Sequence, residues 1–291
     1  MNSKKNNNEN DNLNEIKINW FPGHMAKGMR EIEEKAVVAD LFVILLDVRA
    51  PLSCYNKSFD KIAPNKPRLF VFSKIDLGDK DKYNKIKEHF GSDKNVVFVD
   101  LKKPQSRQII LKKIDYLLKE KVLQEQKKGL NKPRLRVFVL GVPNTGKSTF
   151  INLLLKEKKV KVGNMPGITR GQQWIKVDNI LLLDTPGILW PNLDDQDVAI
   201  KLSIIGSIRS EIIPSDFLFK NTYKIISKNY PEILTNMNLF SSNDENKIHE
   251  NLLKIAEQKN MFIKNGEYDL ERARKWFYNF IKNSKGLTYD F

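Results

Sequence analysis

The chain has 291 residues, 41% of them hydrophobic, and carries a formal net charge of +15 from 50 Lys and Arg against 35 Asp and Glu. This length accommodates one ordinary domain and a smaller one, and no apolar run approaches the ~20 residues of a membrane span. A lone Cys54 excludes an internal disulfide framework and suits a reducing compartment. The charge excess favours a polyanionic partner, because phosphate neutralisation releases counterions; a compositionally biased, Lys- and Asn-rich genome would account for part of it.

Residues Met1 to Glu15 are mostly Asn, Lys, Glu and Asp, lacking the apolar core of a secretory signal and the Arg content of a typical transit peptide. They read as a disordered leader. Five apolar, β-branched or Phe-rich runs then predict buried strands of a parallel α/β sheet: Leu41–Leu46, Leu69–Phe72, Val96–Val99, Leu135–Leu140 and Ile180–Leu183. Trp174–Val177 pairs with the last of them as a hairpin across Asp178-Asn179. Helical spacings lie between, at Lys82–Phe90, Gln105–Gln126 and Ser148–Lys156, and the basic stretch Lys127–Arg134, broken by Gly129 and Pro133, reads as a surface connection. After Pro191 strand patterns cease. Helical spacings take over at Gln196–Ile208, Ser215–Asn229, Asn246–Gln258 and Leu270–Asn283, the last with Leu270, Ala273, Phe277 and Ile281 on one face. The expected organisation is a leader (1–15), an α/β domain (16–191) and a small all-helical domain (192–291).

Gly141-Val142-Pro143-Asn144-Thr145-Gly146-Lys147-Ser148 is a complete phosphate-binding loop between a predicted strand and a predicted helix. Its glycines let backbone N–H groups turn inward around a β-phosphate, with Lys147 placed for the β- and γ-phosphates and the Ser148 hydroxyl for Mg²⁺. The backbone from Asn144 to Gly146 and the first helical turn, including Thr149, complete the cradle. Asp184, at a strand end, is placed to hold Mg²⁺ through water, and the Gly187 N–H to meet the γ-phosphate. Thr169, within Gly167-Ile168-Thr169-Arg170-Gly171, lies between loop and sensor, where a switch threonine would close over Mg²⁺ in the GTP state. Phe72-Ser73-Lys74-Ile75-Asp76-Leu77 reads as a guanine-recognition element: Asp76 can accept from N1–H and the exocyclic amine, and Lys74 can lay its stem along the base. Ser73 stands where Asn is usual and loses the amide contact. Asp100-Leu101-Lys102 occupies the place of the usual Ser-Ala-Lys base-supporting loop and departs from it. The base reader precedes the phosphate loop, the reverse of the usual order. The expected fold is therefore a circularly permuted, Ras-like P-loop GTPase domain followed by a small helical domain.

With these pieces assembled, the chain resembles the circularly permuted ribosome-assembly GTPases, specifically the ribosome biogenesis GTPase A family with its mitochondrial relatives. The most particular pieces are Trp20-Phe21-Pro22-Gly23-His24-Met25, Asp47-Val48-Arg49-Ala50-Pro51, Pro166-Gly167-Ile168-Thr169 and Asp184-Thr185-Pro186-Gly187-Ile188-Leu189-Trp190-Pro191. The resemblance implies Mg²⁺-dependent GTP hydrolysis, cycling between GTP and GDP, coupled to late maturation of the large ribosomal subunit. The implied partners are the subunit precursor and its rRNA, with no DNA and no membrane integration, and the helical domain helps bind the particle. Ras-like enzymes orient water with a Gln after the sensor glycine, where this chain has Ile188; the resemblance implies His24 in that role, the alternative being a loop histidine packed by Trp20 and Phe21. Asn144 is associated by the same resemblance with a K⁺ ion near the phosphates, the alternative being a loop cap. The expected location is cytoplasmic, or an organellar matrix if the leader is an import sequence. A rival reading is an RNA-binding assembly placeholder whose nucleotide site regulates docking but turns over slowly, which Ile188 favours.

Overall fold

Runs of Val, Leu, Ile and Phe without polar alternation belong in a sheet covered on both faces. Six strands form that sheet: β1 (Leu41–Asp47), β2 (Arg68–Ser73), β3 (Val96–Phe98), β4 (Leu135–Leu140), β5 (Gln173–Val177) and β6 (Ile180–Asp184), in the order β3-β2-β1-β4-β6-β5. All neighbours are parallel except β5, which pairs antiparallel with β6 across the expected turn. The computed structural model describes residues 23–156, 173–189 and 195–291, with the backbone alone at His24.

Every residue of β1 is buried, and its side chains alternate between two apolar clusters. Val43 and Leu45 join Val71, Val137 and Val139 under α5 (Gln105–Lys127) and α6 (Lys147–Leu155), with Ile110, Ile114, Leu118 and Ile151 closing that face. Phe42, Ile44 and Leu46 join Phe70, Phe72, Phe138 and Leu140 on the other. There α1 (Gly23–Lys35), α4 (Tyr83–Phe90) and the helical segment 195–291 share one continuous core with the sheet. That segment comprises α7 (Gln196–Ile204), α8 (Ser215–Asn229), α9 (Pro231–Asn236), α10 (Glu245–Gln258) and α11 (Leu270–Asn283). Asp195, Asp244 and Asp269 cap α7, α10 and α11 by accepting from first-turn N–H groups. No described helix is long and apolar enough to cross a membrane.

Expected and observed elements differ in instructive places. The spacing predicts a helix to Ile208, but α7 ends at Ile204 because Gly206 takes φ +82° and turns the chain towards the phosphate loop. Four helices escaped the sequence pattern: α1, α2 (Pro51–Cys54), α3 (Ser58–Lys61) and α9. Three of them are too short to show a period. The fourth, α1, opens on Gly23-His24 with no acidic residue in its first turn. The leader, Trp20-Phe21-Pro22, Thr169 with its flanking loop, Trp190-Pro191 and the expected 191/192 boundary lie outside the described residues.

Candidate nucleotide site

Strand order reverses between β1 and β4, since β2 and β3 lie to one side and β6 and β5 to the other. Open α/β sheets bind ligands beyond the carboxyl ends of strands at such a reversal. The loop leaving β4 is shaped by its glycines. Gly141 takes φ +151°, and a Cβ there would lie 2.5 Å from the Leu45 carbonyl oxygen. Gly146, at φ +98°, hands the chain into α6. Thr145 is buried, its hydroxyl donating to the Val142 carbonyl at 2.9 Å. Ser148 and Thr149 are half-buried in the first turn of α6, where free N–H groups and the helix dipole favour an anion. The Lys147 ammonium lies within the loop, donating to the carbonyls of Gly141 at 2.9 Å and Val142 at 2.8 Å.

Asp184 ends β6, and both its carboxylate oxygens are buried with no donor at hydrogen-bond distance among the described residues. Burial raises its pKa to about 6, against the Lys147 charge and the nearby Gln173 amide. Burial likewise lowers Lys147 to about 8, against the pull of Asp184. The sensor loop beyond Asp184 lies directly on the phosphate loop. A Cβ on Gly187 would lie 2.6 Å from Pro143 Cα, and the Ile188 N–H donates to the Gly141 carbonyl at 3.2 Å. No side chain fits between the two loops at position 187. Helix α1 is seated on the same sensor: a Cβ on Gly28 would lie 3.3 Å from Ile188 Cδ1. Residue 24 lies in the first turn of this helix.

On the base side, Ser73 is buried and its hydroxyl meets the carbonyls of Thr145 at 2.7 Å and Leu46 at 3.2 Å. It ties the base-reading strand to the phosphate loop. Lys74 takes φ +57° and its ammonium lies 2.8 Å from the buried Asp47 carboxylate. Asp76 stands exposed, with Lys102 Nζ at 3.4 Å. The off-pattern loop therefore does reach the base reader: Lys102 pairs with Asp76, and Leu101 Cδ1 would lie 3.0 Å from a Cβ on Gly146.

Motif reading missed how the helical segment grips this site. Asn144, at φ +61°, donates its amide to the Gly206 carbonyl at 2.6 Å, and the Ser207 hydroxyl donates to the Pro143 carbonyl at 2.6 Å. Arg49 donates two bonds to Asp47, at 2.8 and 3.0 Å, and one to the Ile205 carbonyl at 3.3 Å. The chain after α11 then returns as a strap. Gly286 N–H donates to Leu77 O at 2.7 Å, Tyr289 N–H to Arg49 O at 2.6 Å, and Asp290 accepts from the Ser53 N–H and hydroxyl. Nothing local in Ile205-Gly206-Ser207 or Gly286–Phe291 marks these roles; only Asp47 and Arg49 were visible, as motif residues without a part to play.

These features define a class: a P-loop GTPase whose base reader precedes its phosphate loop, with a helical segment bonded to both. A protein-family profile described as 50S ribosome-binding GTPase matches residues 136–263. Ribosome biogenesis GTPase A of Priestia megaterium is 34% identical over 282 residues, covering 94% of this chain and 96% of that protein. The protein of the same name from Bacillus licheniformis is 40% identical over 219 residues, covering 75% and 77%. The crystal structure of GNP-bound YlqF from T. maritima matches with a TM-score of 0.62 at 25% identity, covering 90% of this chain and 97% of that one. The chain belongs to the ribosome biogenesis GTPase A family. It binds GTP and GDP, hydrolyses GTP, and serves ribosome assembly.

Proposed function

We propose that this GTPase acts in the cytoplasm on the large (50S) subunit precursor late in its maturation, binding it as GTP and leaving after hydrolysis. The observation that carries this reading is the pair of bonds from Gly206 and Ser207 to the phosphate loop. A loop that reorders on losing the γ-phosphate would act on the seat of the helical segment without an intermediary. The 50S assignment draws on the description of the matching profile and on the names of the relatives.

The site suits a divalent cation. The two unpartnered, buried oxygens of Asp184 need a cation or its waters, and burial has made Asp184 and Lys147 poorly compensated until phosphate and metal arrive. Mg²⁺ would be held by Ser148, by Thr169 in the GTP state and by Asp184 through water. When bound, it neutralises charge on the β- and γ-phosphates. Lys147 binds the same phosphates, and the Gly187 N–H senses the third. Asn144 is the residue proposed for K⁺; its amide nitrogen is already held by Gly206, which fixes its rotamer. With Ile188 fully buried, water orientation falls to another group, and His24, on the helix that packs against Ile188, is the residue proposed for it.

His24→Ala is expected to keep GTP affinity within about twofold and to lose roughly 100-fold or more of subunit-stimulated turnover, the range for a positioned general base or water-orienting group. Equal stimulated rates in mutant and wild type would make His24 structural and favour the slow-turnover placeholder. The proposal as a whole is tested by co-sedimentation with purified large subunits. A non-hydrolysable GTP analogue should hold the protein at least ~10-fold more tightly than GDP, equivalent to a coupling of about 1.4 kcal/mol. Indifference to a confirmed bound nucleotide would sink the switch reading.

A further inference from the structure

The chain's positive charge is not where the helical segment would use it. Residues 195–291 hold 14 Lys and Arg against 13 Asp and Glu, whereas the 35 residues from Lys102 to Arg136 hold 12 against 3. Most of this basic stretch is α5, a helix of 23 residues and thus about 34 Å long. Its inner face, Ile110, Ile114 and Leu118, is buried against the sheet. Its outer face carries Ile109, Lys112, Tyr116, Lys119, Leu123 and Lys127, spaced three or four residues apart and all exposed. Ile109, Tyr116 and Leu123 are open at 46%, 52% and 47% of their surface. Lys121 and Lys128 are paired with Asp40 and Glu125, and the Lys113 ammonium donates to the Asp93 backbone carbonyl. Lys112, Lys119 and Lys127 have no acidic partner among the described residues.

We propose that this outer stripe of α5 is a second rRNA-docking surface, distinct from the helical segment and lying on the opposite face of the sheet. The three unpaired lysines would take phosphates, and Tyr116 between two of them would offer a ring to an unstacked base or a ribose, the mode by which proteins contact folded RNA. A membrane surface fits less well. An interfacial helix needs a broad apolar face free to enter lipid, and here that face is in the core while the outer apolar groups stand singly between lysines. The inference rests on the ribosomal reading above, and it adds that a large share of particle affinity comes from the GTPase side and is blind to the nucleotide.

The test uses the full chain with Lys112→Gln, Lys119→Gln and Lys127→Gln combined, all at exposed sites remote from the phosphate loop, so basal GTP turnover should stay unchanged. Binding to purified large subunits is measured by co-sedimentation across a salt series, with the GTP analogue and with GDP, and to phosphatidylserine vesicles in parallel. Losing three phosphate contacts should flatten the log Kd against log salt slope by about 2 to 3, a roughly 100-fold loss near 0.15 M salt. The loss should be equal in the two nucleotide states. Tyr116→Ala should weaken binding without changing the slope. Wild type that binds particles while the triple variant binds them equally well, with the same slope, overturns the inference alone. Wild type that binds no particle overturns the ribosomal reading and this inference with it. Vesicle binding that the variant loses, with particle binding intact, assigns the stripe to a lipid surface and overturns the RNA assignment.

Discussion

Asp76→Asn should exchange guanine for xanthine preference. A carboxylate accepts from guanine N1–H and its exocyclic amine, while an amide nitrogen opposes that amine and instead donates to the xanthine carbonyl. Two charge-assisted bonds at about 1.5–3 kcal/mol each imply at least a 100-fold loss of GTP affinity. The effect should be larger here than in a GTPase with Asn in place of Ser73. The Ser73 hydroxyl is engaged by Thr145 and Leu46, which concentrates base reading on Asp76. Lys102, at 3.4 Å from Asp76, is mostly exposed and screened, so its loss should matter far less. Competition binding of GTP, xanthosine triphosphate and ATP to both proteins is the measurement. A variant that still prefers GTP over xanthosine triphosphate places the base elsewhere.

Asp47→Ala should cost about 3–5 kcal/mol of stability, the range for removing one partner of a buried ion pair, and so lower Tm by roughly 10 °C in a chain of this size. Asp47 is fully buried between Arg49 and Lys74, both at 2.8 Å. Burial opposes its ionisation, but the two cations outweigh burial and hold the carboxyl well below its usual range. A depressed folded-state pKa contributes stability above the free-chain value of ~3.9 and loses it as pH falls through the folded value. The gap in Tm between wild type and variant should therefore be constant from about pH 5 to 8 and narrow only in acid. The same substitution frees Lys74, the residue expected along the base, and Arg49, which donates to the Ile205 carbonyl, so weaker GTP binding and a looser helical segment should accompany it. Thermal unfolding by circular dichroism across that pH range checks the first claim. An unchanged Tm, or a gap that grows as pH falls, would show that the triad does not stabilise the fold.

Chemistry with a local signature was legible from residue order. The strand, the glycines and the lysine of the phosphate loop are contiguous because a backbone cradle must be built from neighbouring N–H groups. Asp184 and Gly187 sit three residues apart for the same reason, and the unalternated apolar runs announced a doubly covered sheet. The reversed order of base reader and phosphate loop also needed only the sequence. Ser73 was seen as a lost amide contact, but its bond to Thr145 was not, since the partner lies 72 positions away. Helix α1 lacks a sequence signature because it opens on Gly23-His24 without an acidic first turn and carries a second glycine, Gly28, where Ile188 packs against it.

The sequence by itself determined the sheet, the nucleotide and the permuted order, because the first two are encoded by contiguous runs and motifs and the third by their order along the chain. Only the tertiary structure decided how the parts work on one another. The turn at Ile205–Ser207 on the phosphate loop, the strap from Gly286 to Phe291 on Leu77 and Arg49, and α1 on the sensor are contacts between distant segments, in several of which one partner is a backbone carbonyl or N–H or a glycine. Such a partner has no distinguishing side chain, so its residue type does not betray the contact. The unpaired lysines of α5 follow the same logic: the sequence supplied the charge, and packing decided which of it was left facing outward.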